Sequence, residues 1–297
     1  MTKTKKMGDL FSRTLTNSFS GLLVALFIFF AEISFFRPFF TAGISLIAAI
    51  ALWEYYRLVR KKELEPGVKI GIVTAILYVF AVFFQTGAYF SAEIWQYLPE
   101  IILGLFLFSL FAYYAVKGQE AILNLSTTFF GLFYIVIPIA CFVRIAYFFF
   151  DGTISTSPYE GSFWLLYLIA VTKGSDMGGY FFGRWFGKRK LAVRLSPNKT
   201  YFGAVAGLVF SVILSVFIAY LGKRAGVFTA FNYLSAVWLG ALLAIFGQLG
   251  DLAESLLKRD VDTKDSNNIP GVGGVLDMVD SLLFTAPLVY IFLRVAL

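Results

Sequence analysis

The sequence contains no histidine, and Cys141 is its single cysteine. These absences exclude a zinc site built from cysteine and histidine, a Ser-His-Asp triad, and a disulfide within the chain. Any metal must be held mainly by oxygen ligands, which favours Mg²⁺, Mn²⁺ or Ca²⁺. No imidazole is available for acid or base catalysis.

Charge is also scarce. Charged residues make up 14% of the 297 residues, whereas soluble domains have about 25%. Hydrophobic residues make up 59% of the chain, and they recur in runs near the roughly 20 residues that a membrane-spanning helix needs. We therefore predict an all-α polytopic integral membrane protein.

Hydropathy predicts nine membrane-spanning helices in two regions. Residues 1–150 form an N-terminal bundle of five helices, and residues 151–297 form a catalytic region of four helices with cytoplasmic loops at 184–201 and 258–274. Pro138 predicts a kink in the fifth span. The predicted spans are 19–35, 38–58, 70–90, 97–116, 122–149, 163–182, 202–221, 233–257 and 275–295.

Most of the 25 lysines and arginines fall in loops on one side of these spans. Because cytoplasmic loops retain positive residues, we predict a cytoplasmic N-terminus and an external C-terminus, in the inner (cytoplasmic) membrane of the cell. The same placement explains the net charge of +7 without a nucleic-acid partner. The first five spans are expected to carry little chemistry, with Glu32 and Arg144 as their only strongly ionic groups.

The sixth span carries Lys173 and Asp176, three residues apart. Helical spacing places Asp176, Gly179, Tyr180 and Gly183 on one stripe, where the glycines allow a helix or a ligand to approach closely. This pattern favours a functional site. A buried Lys173–Asp176 pair that only locks helices together is the alternative.

The loop that follows, 184–201, contains six cationic residues and the sequence Ser196-Pro197-Asn198-Lys199-Thr200. The cations could bind anionic lipid headgroups. The hydroxyls, amide and ammonium of the second element suit polyphosphate oxygens better, so we interpret the loop as phosphate-binding.

The eighth span carries Asp251, Glu254, Ser255 and Lys258 on one helical face. A glycine-rich connector precedes the ninth span, which opens with two aspartates, Asp277 and Asp280. Carboxylates from these two helices could share divalent ions beside phosphate-binding cations. That combination is typical of phosphoryl or nucleotidyl transfer.

These residues resemble the phosphatidate cytidylyltransferase (CDP-diacylglycerol synthase) family. The resemblance covers about the last 125 residues, and its elements occur in the same order as in the family. The matching elements are Asp176-x-x-Gly179-Tyr180-x-x-Gly183, Ser196-Pro197-x-Lys199-Thr200, Gly250-Asp251-Leu252-x-Glu254-Ser255, Ser255-x-x-Lys258-Arg259, Lys264-Asp265, Pro270-x-x-Gly273-Gly274 and Asp277-x-x-Asp280. Val272, Met278 and Phe202 replace the histidine, arginine and glutamate that are usual in the family.

The resemblance implies Mg²⁺-dependent conversion of phosphatidic acid and CTP to CDP-diacylglycerol and pyrophosphate, at a site facing the cytoplasm. The number of metal ions, one or two, and a homodimeric state are left open. The expected catalytic residues are Asp251, Asp277, Lys258 and Lys264, and the expected metal ligands are Asp251, Asp277, Asp280, Glu254 and Asp176. The expected substrate-binding residues are Ser196, Asn198, Lys199, Thr200, Ser255, Arg259, Asp265, Gly273, Gly274, Lys173 and Tyr180.

Two other functions fit parts of the same pattern. A CTP-dependent lipid kinase would transfer the terminal phosphate and release CDP. A transporter would use the intramembrane carboxylates and move a substrate without nucleotide turnover.

The predicted topology is tested by a reporter fused after Leu297. We expect activity from a reporter enzyme that works only outside the cytoplasm, because an odd number of spans brings the chain to the far side. A reporter that proves cytoplasmic would overturn the count of nine.

Overall fold

The computed structural model describes residues 24–87, 93–118, 120–151, 159–228, 231–267 and 273–296, and these residues are mainly helical. Two short strands follow the seventh helix: β1 (Lys190–Ala192) and β2 (Ser196–Thr200). The predicted all-α polytopic class is confirmed apart from this hairpin. The helices are α1 (24–30), α2 (Arg37–Val59), α3 (Val68–Gln85), α4 (Leu98–Lys117), α5 (Ala121–Gly131), α6 (Ile137–Ala146), α7 (Glu160–Phe186), α8 (Tyr201–Arg224), α9 (Tyr233–Asp260) and α10 (Val275–Ala296).

Seven helical segments of the described chain are long and apolar enough to cross a membrane. They comprise α2, α3, α4, α5 continuing into α6, α8, α9 and α10. Helix α7 is not among them because it is more polar, although its 27 residues extend about 40 Å. The number of nine and the sidedness of the termini stay predictions.

The predicted first span, 19–35, is wrong at its C-terminal end. Helix α1 stops at residue 30, and residues 31–36 form turns before Pro38 opens α2. The Glu32 carboxylate turns inward, where it accepts hydrogen bonds from the Ser162 backbone N–H at 3.1 Å and the Ser162 hydroxyl at 3.2 Å. Residues 19–23 lie outside the described part of the chain.

The predicted fifth span is interrupted where Pro138 was expected to perturb it. A π-helical segment, Leu132–Val136, separates α5 from α6, and Pro138 occupies the first turn of α6. In membrane helices, local π-helical turns help to satisfy the backbone groups that a proline leaves without an intrahelical partner. Two tyrosines of α2 fasten this region: Tyr55 Oη donates to the carbonyl of Thr127 at 3.2 Å, and Tyr56 Oη to that of Thr128 at 3.0 Å.

The β1–β2 hairpin occupies the predicted loop 184–201. Lys190 pairs with Thr200, and Ala192 with Ser196. Thr200 also begins α8, since its hydroxyl accepts from the Gly203 N–H at 3.1 Å. Such caps satisfy donors that a helix start leaves free. The hairpin is thus fixed to the start of a long helix.

Helices α7 to α10 pack together around buried aromatic rings, and α10 also packs against α2 and α6. Trp164 on α7 is fully buried, with its ring centre 4.8 Å from those of Phe228 and Phe231. The division into regions 1–150 and 151–297 stays a prediction. In the structure, α10 joins the two.

Close packing of α7 against α6 gives a stability test. A methyl group on Gly161 would overlap the backbone carbonyl of Ala146, so Gly161→Ala should cost about 1–3 kcal/mol. Gly104→Ala on α4 is the matched control, because nothing lies within 4 Å of the added methyl group. We expect a lower melting temperature in detergent for the first variant only. Equal melting temperatures would contradict the packing described.

Candidate active site

An open cavity of about 590 Å³ lies between α7, the hairpin, the start of α8 and α9. Asp176, Gly179, Tyr180 and Gly183 all line it, which confirms the stripe predicted on α7. Carboxylates, cations and neutral hydrogen-bonding groups meet here in a setting suited to charged ligands. The other polar lining residues are Ser175, Arg184, Lys190, Ser196, Asn198, Lys199, Thr200, Gln248 and Asp251.

Lys199 links the hairpin to α9 across this cavity. Its Nζ lies 2.8 Å from Asp251 Oδ2 and 3.4 Å from the carbonyl of Gln248. The side chains are only 23% and 32% exposed, so the ion pair is partly shielded from water. The pairing places a cation of the hairpin beside Asp251, a predicted catalytic residue and metal ligand.

Lys173 joins α7 to α10 deeper in the bundle. Its Nζ donates to Ser281 Oγ at 2.8 Å and lies 3.7 Å from Asp280 and 3.9 Å from Asp176. The Lys173–Asp176 pair considered from the sequence is therefore present, but it is one contact of a larger set. Lys173 does not line the polar cavity. It borders an apolar groove of about 420 Å³ between α7 and α8.

Three carboxylates approach one another here. Asp251 on α9 lies near enough to Asp176 on α7 and Asp280 on α10 for their charges to repel. A methyl group on Gly250 would lie 2.5 Å from the Asp280 carbonyl, so α9 and α10 are nearly in backbone contact at this level. Because Gly250 has no side chain, α9 and α10 approach closely enough to bring Asp251 and Asp280 together.

The described residues contain no group of three acidic side chains that would hold a metal ion as they stand. Lysines lie against the carboxylates instead. The donor chemistry nevertheless fits Mg²⁺, which usually takes one or two carboxylates together with water and substrate phosphate oxygens. Asp176 and Asp251 both face the cavity and meet that requirement.

A second group of charges lies at the junction of α9 and α10, and we call it the junction cluster: Glu254, Lys258, Ser266 and Asp277. The Lys258 ammonium forms ion pairs with the fully buried Glu254 and, at 2.5 Å, with Asp277 Oδ1. Asp277 Oδ2 accepts from the backbone N–H groups of Ser266 at 3.0 Å and Gly274 at 2.7 Å. Asp277 thereby caps the start of α10, where a negative charge is favoured.

The junction cluster lies about one helical turn from the level at which Asp251 and Asp280 meet. Asp251 and Glu254 are three residues apart on α9, and Asp277 and Asp280 are three apart on α10. Because these helices run in opposite directions, Asp251 faces the level of Asp280, and Glu254 that of Asp277. Of the five predicted acidic ligands, Asp176 and Asp251 line the cavity, and Glu254 and Asp277 belong to the junction cluster. Asp280 belongs to neither set.

Two predicted substrate-binding residues, Arg259 and Ser255, form hydrogen bonds within the protein. The Arg259 guanidinium donates to the carbonyl of Leu195 at 3.2 Å and to that of Thr263 at 2.9 Å. Ser255 Oγ donates to Asp251 at 3.4 Å. Arg259 thereby fastens the tip of the hairpin to the end of α9.

The remaining predictions fall on the connector. Lys264 and Asp265 are exposed, while Gly273 and Gly274 lie against Asp277 and Ser266 respectively. Val272 lies outside the described residues. Met278 and Phe202, two replacements relative to the family pattern, are about half exposed, at 51% and 49%.

One buried acid was missed. The expectation that Glu32 and Arg144 are the only strongly ionic groups in the first five spans was wrong, because α2 carries Glu54, which has no exposed surface. Its carboxylate accepts hydrogen bonds from the connector and from the start of α10. A lone carboxylate within an apolar run, as in Leu52-Trp53-Glu54-Tyr55, was the available signal.

The fold and the cavity together define an integral membrane protein with a polar cavity lined by carboxylates and cations. A model of the cytidylyltransferase family matches residues 12–296, and the chain belongs to this family. It is 34% identical to the phosphatidate cytidylyltransferase of Chlamydia pneumoniae, over 99% of this chain and 94% of the relative. It is 32% identical to that of Bacillus subtilis, over 97% and 98% of the two chains.

Lys258 gives a test of the junction cluster. Lys258→Met should lower the free energy of unfolding by about 3–5 kcal/mol, because it leaves the buried Glu254 and Asp277 without their cation. Lys61→Met removes an exposed lysine and should leave stability unchanged. Melting temperatures in detergent compare the two variants, and an unaffected Lys258→Met protein would contradict the ion pairs described.

Proposed function

We propose that this protein transfers the cytidylyl group of CTP to phosphatidic acid, forming CDP-diacylglycerol and releasing pyrophosphate. The observation that carries the proposal is the cavity in which Lys199 of the hairpin meets Asp251 of α9 among membrane-spanning helices. In such a cavity a polar ligand and a membrane lipid can bind next to each other. The phosphatidate cytidylyltransferases of similar sequence support the same reaction.

The reaction makes one bond and breaks one bond. A phosphate oxygen of phosphatidic acid attacks the α-phosphorus of CTP, and the bond from that phosphorus to the bridging oxygen of the β-phosphate breaks. The electron pair leaves with pyrophosphate. The attacking phosphate is already ionised near neutral pH, so no strong base is needed. Positioning and charge neutralisation supply the acceleration.

The hairpin side of the cavity is the proposed binding surface for the CTP phosphates. Ser196, Asn198, Lys199 and Lys190 of the hairpin line the cavity, and Arg184 of α7 adds a further positive charge to its lining. In this proposal Lys199 releases Asp251 and turns to the phosphates, since an ammonium on a flexible stem can exchange one anion for another.

The lipid is proposed to enter from the bilayer. The groove between α7 and α8 is lined by apolar residues such as Ile169, Phe210 and Leu214, and Lys173 lines it as well. An acyl chain in this groove would bring its phosphate toward Lys173 and the neighbouring carboxylates. The active site would then face the cytoplasm, where CTP is available, at the inner membrane.

Mg²⁺ is the proposed metal, with Asp251 and Asp176 as its direct protein ligands and Asp280 beside them. When bound, it would neutralise charge on the phosphate oxygens of the reacting groups. Asp277 and Glu254 are proposed to stabilise the junction of α9 and α10 and not to bind the metal. The oxygens of Asp277 already pair with Lys258 and with the start of α10.

Asp251→Asn tests the assignment. The substitution keeps the shape but removes the charge, so we expect pyrophosphate release from CTP and phosphatidic acid to fall roughly 100-fold or more. Asp262→Asn is the matched control, since Asp262 is exposed on the connector and asparagine tolerates its positive φ of 54°. Normal turnover by Asp251→Asn would remove Asp251 from the mechanism.

A further inference from the structure

Glu54 on α2 accepts four hydrogen bonds from the connection between α9 and α10. Its Oε2 accepts from Ser266 Oγ at 2.9 Å and from the Leu276 N–H at 2.8 Å. Its Oε1 accepts from Asn267 Nδ2 and from the Val275 N–H, both at 3.1 Å. Both oxygens are therefore occupied by groups that precede or begin α10.

These bonds stabilise a charge that is removed from water. A buried carboxylate is costly unless hydrogen bonds or opposite charge compensate it, and bonds to an ionised acceptor are among the strong ones. Glu54 is compensated by N–H groups at the start of α10, where the helix carries partial positive charge. An amide could not replace it, because the NH₂ group of glutamine would face donors.

The same hydroxyl connects Glu54 to the junction cluster. Ser266 Oγ lies 2.9 Å from Glu54 Oε2 and also 2.9 Å from Asp277 Oδ2. Its backbone N–H donates to Asp277 as well. Ser266 is therefore held between an acid of the N-terminal bundle and the acid that caps α10.

Helix α2 is itself fixed. The residues that follow Glu54 are Tyr55 and Tyr56, which donate to carbonyls of α5 and so set the rotation of α2. Gly274 leaves no spare room, because a methyl group there would overlap both Ser266 Oγ and the Glu54 carboxylate. The described ends of the connector, 266–267 and 274, therefore pack closely against the Glu54 side chain.

We propose that Glu54 is a positioning residue for the cytidylyl transfer. It holds the start of α10 so that Asp277 keeps its pairing with Lys258, and Asp280, one turn further on, keeps its place beside Asp251 and Asp176. Glu54 does not touch the substrate and acts through Ser266 and the α10 backbone. This inference rests on the proposed function, because its effect on catalysis is measured as cytidylyl transfer.

The test compares Glu54→Gln and Glu54→Asp in the full-length protein with Glu32→Gln. Glu32 is a matched control, since it is also a buried carboxylate that accepts from a backbone N–H near a helix start, that of Ser162 on α7. Turnover of CTP with phosphatidic acid is measured beside hydrogen–deuterium exchange of the peptide covering residues 264–280. The exchange measurement does not depend on activity.

We expect Glu54→Gln to lower kcat roughly 10- to 100-fold while the KM for CTP changes less than about threefold, because misplacing catalytic groups slows the chemical step. Exchange in 264–280 should rise, and Glu54→Asp should recover part of both. Glu32→Gln should leave kcat and this exchange unchanged.

The outcomes separate the two proposals. Unchanged exchange in Glu54→Gln overturns the inference, whatever the activity. Raised exchange with a normal kcat also overturns it, because the connector would then loosen without affecting catalysis. If the unmodified protein turns over no CTP with phosphatidic acid, the proposed function fails, and raised exchange would leave Glu54 as an anchor of α10 only.

Discussion

Neutralising carboxylates inside an apolar helical bundle is the constraint on which the site depends. These side chains are partly or fully shielded from water, so an unpaired charge is costly and a paired one interacts strongly. The structure satisfies the constraint in two ways. Lysines pair with Asp251, Asp280, Glu254 and Asp277, whereas backbone N–H groups at a helix start compensate Glu54.

This constraint links the form of the site to its chemistry. A lysine that neutralises a carboxylate in the free protein lies beside the place where we propose that a phosphate binds. In the proposed reaction, a substrate phosphate would pair with that lysine, and a bound Mg²⁺ would pair with the carboxylate in its place. The pairing of Lys199 with Asp251, at the wall of the cavity, is where this exchange is proposed.

The sequence predicted much of this arrangement. Spacings of three and four placed Asp176 with Tyr180, and Asp251 with Ser255, on shared helix faces, because helical periodicity is local. The connector signature placed Asp277 at a helix start. Sequence spacing could not show which acids from different helices meet, so the division into a cavity and a junction cluster needed the structure. Glu54 was missed because its partners lie more than two hundred residues away. The hairpin was missed because its strands are three and five residues long.

The most direct test follows the fate of the phosphates of CTP. Purified protein is incubated with phosphatidic acid, Mg²⁺ and CTP labelled at either the α- or the γ-phosphate, and lipid and soluble products are separated. The account predicts α-label in the lipid product and γ-label in pyrophosphate. Transfer of γ-label to lipid, with release of CDP, would contradict it.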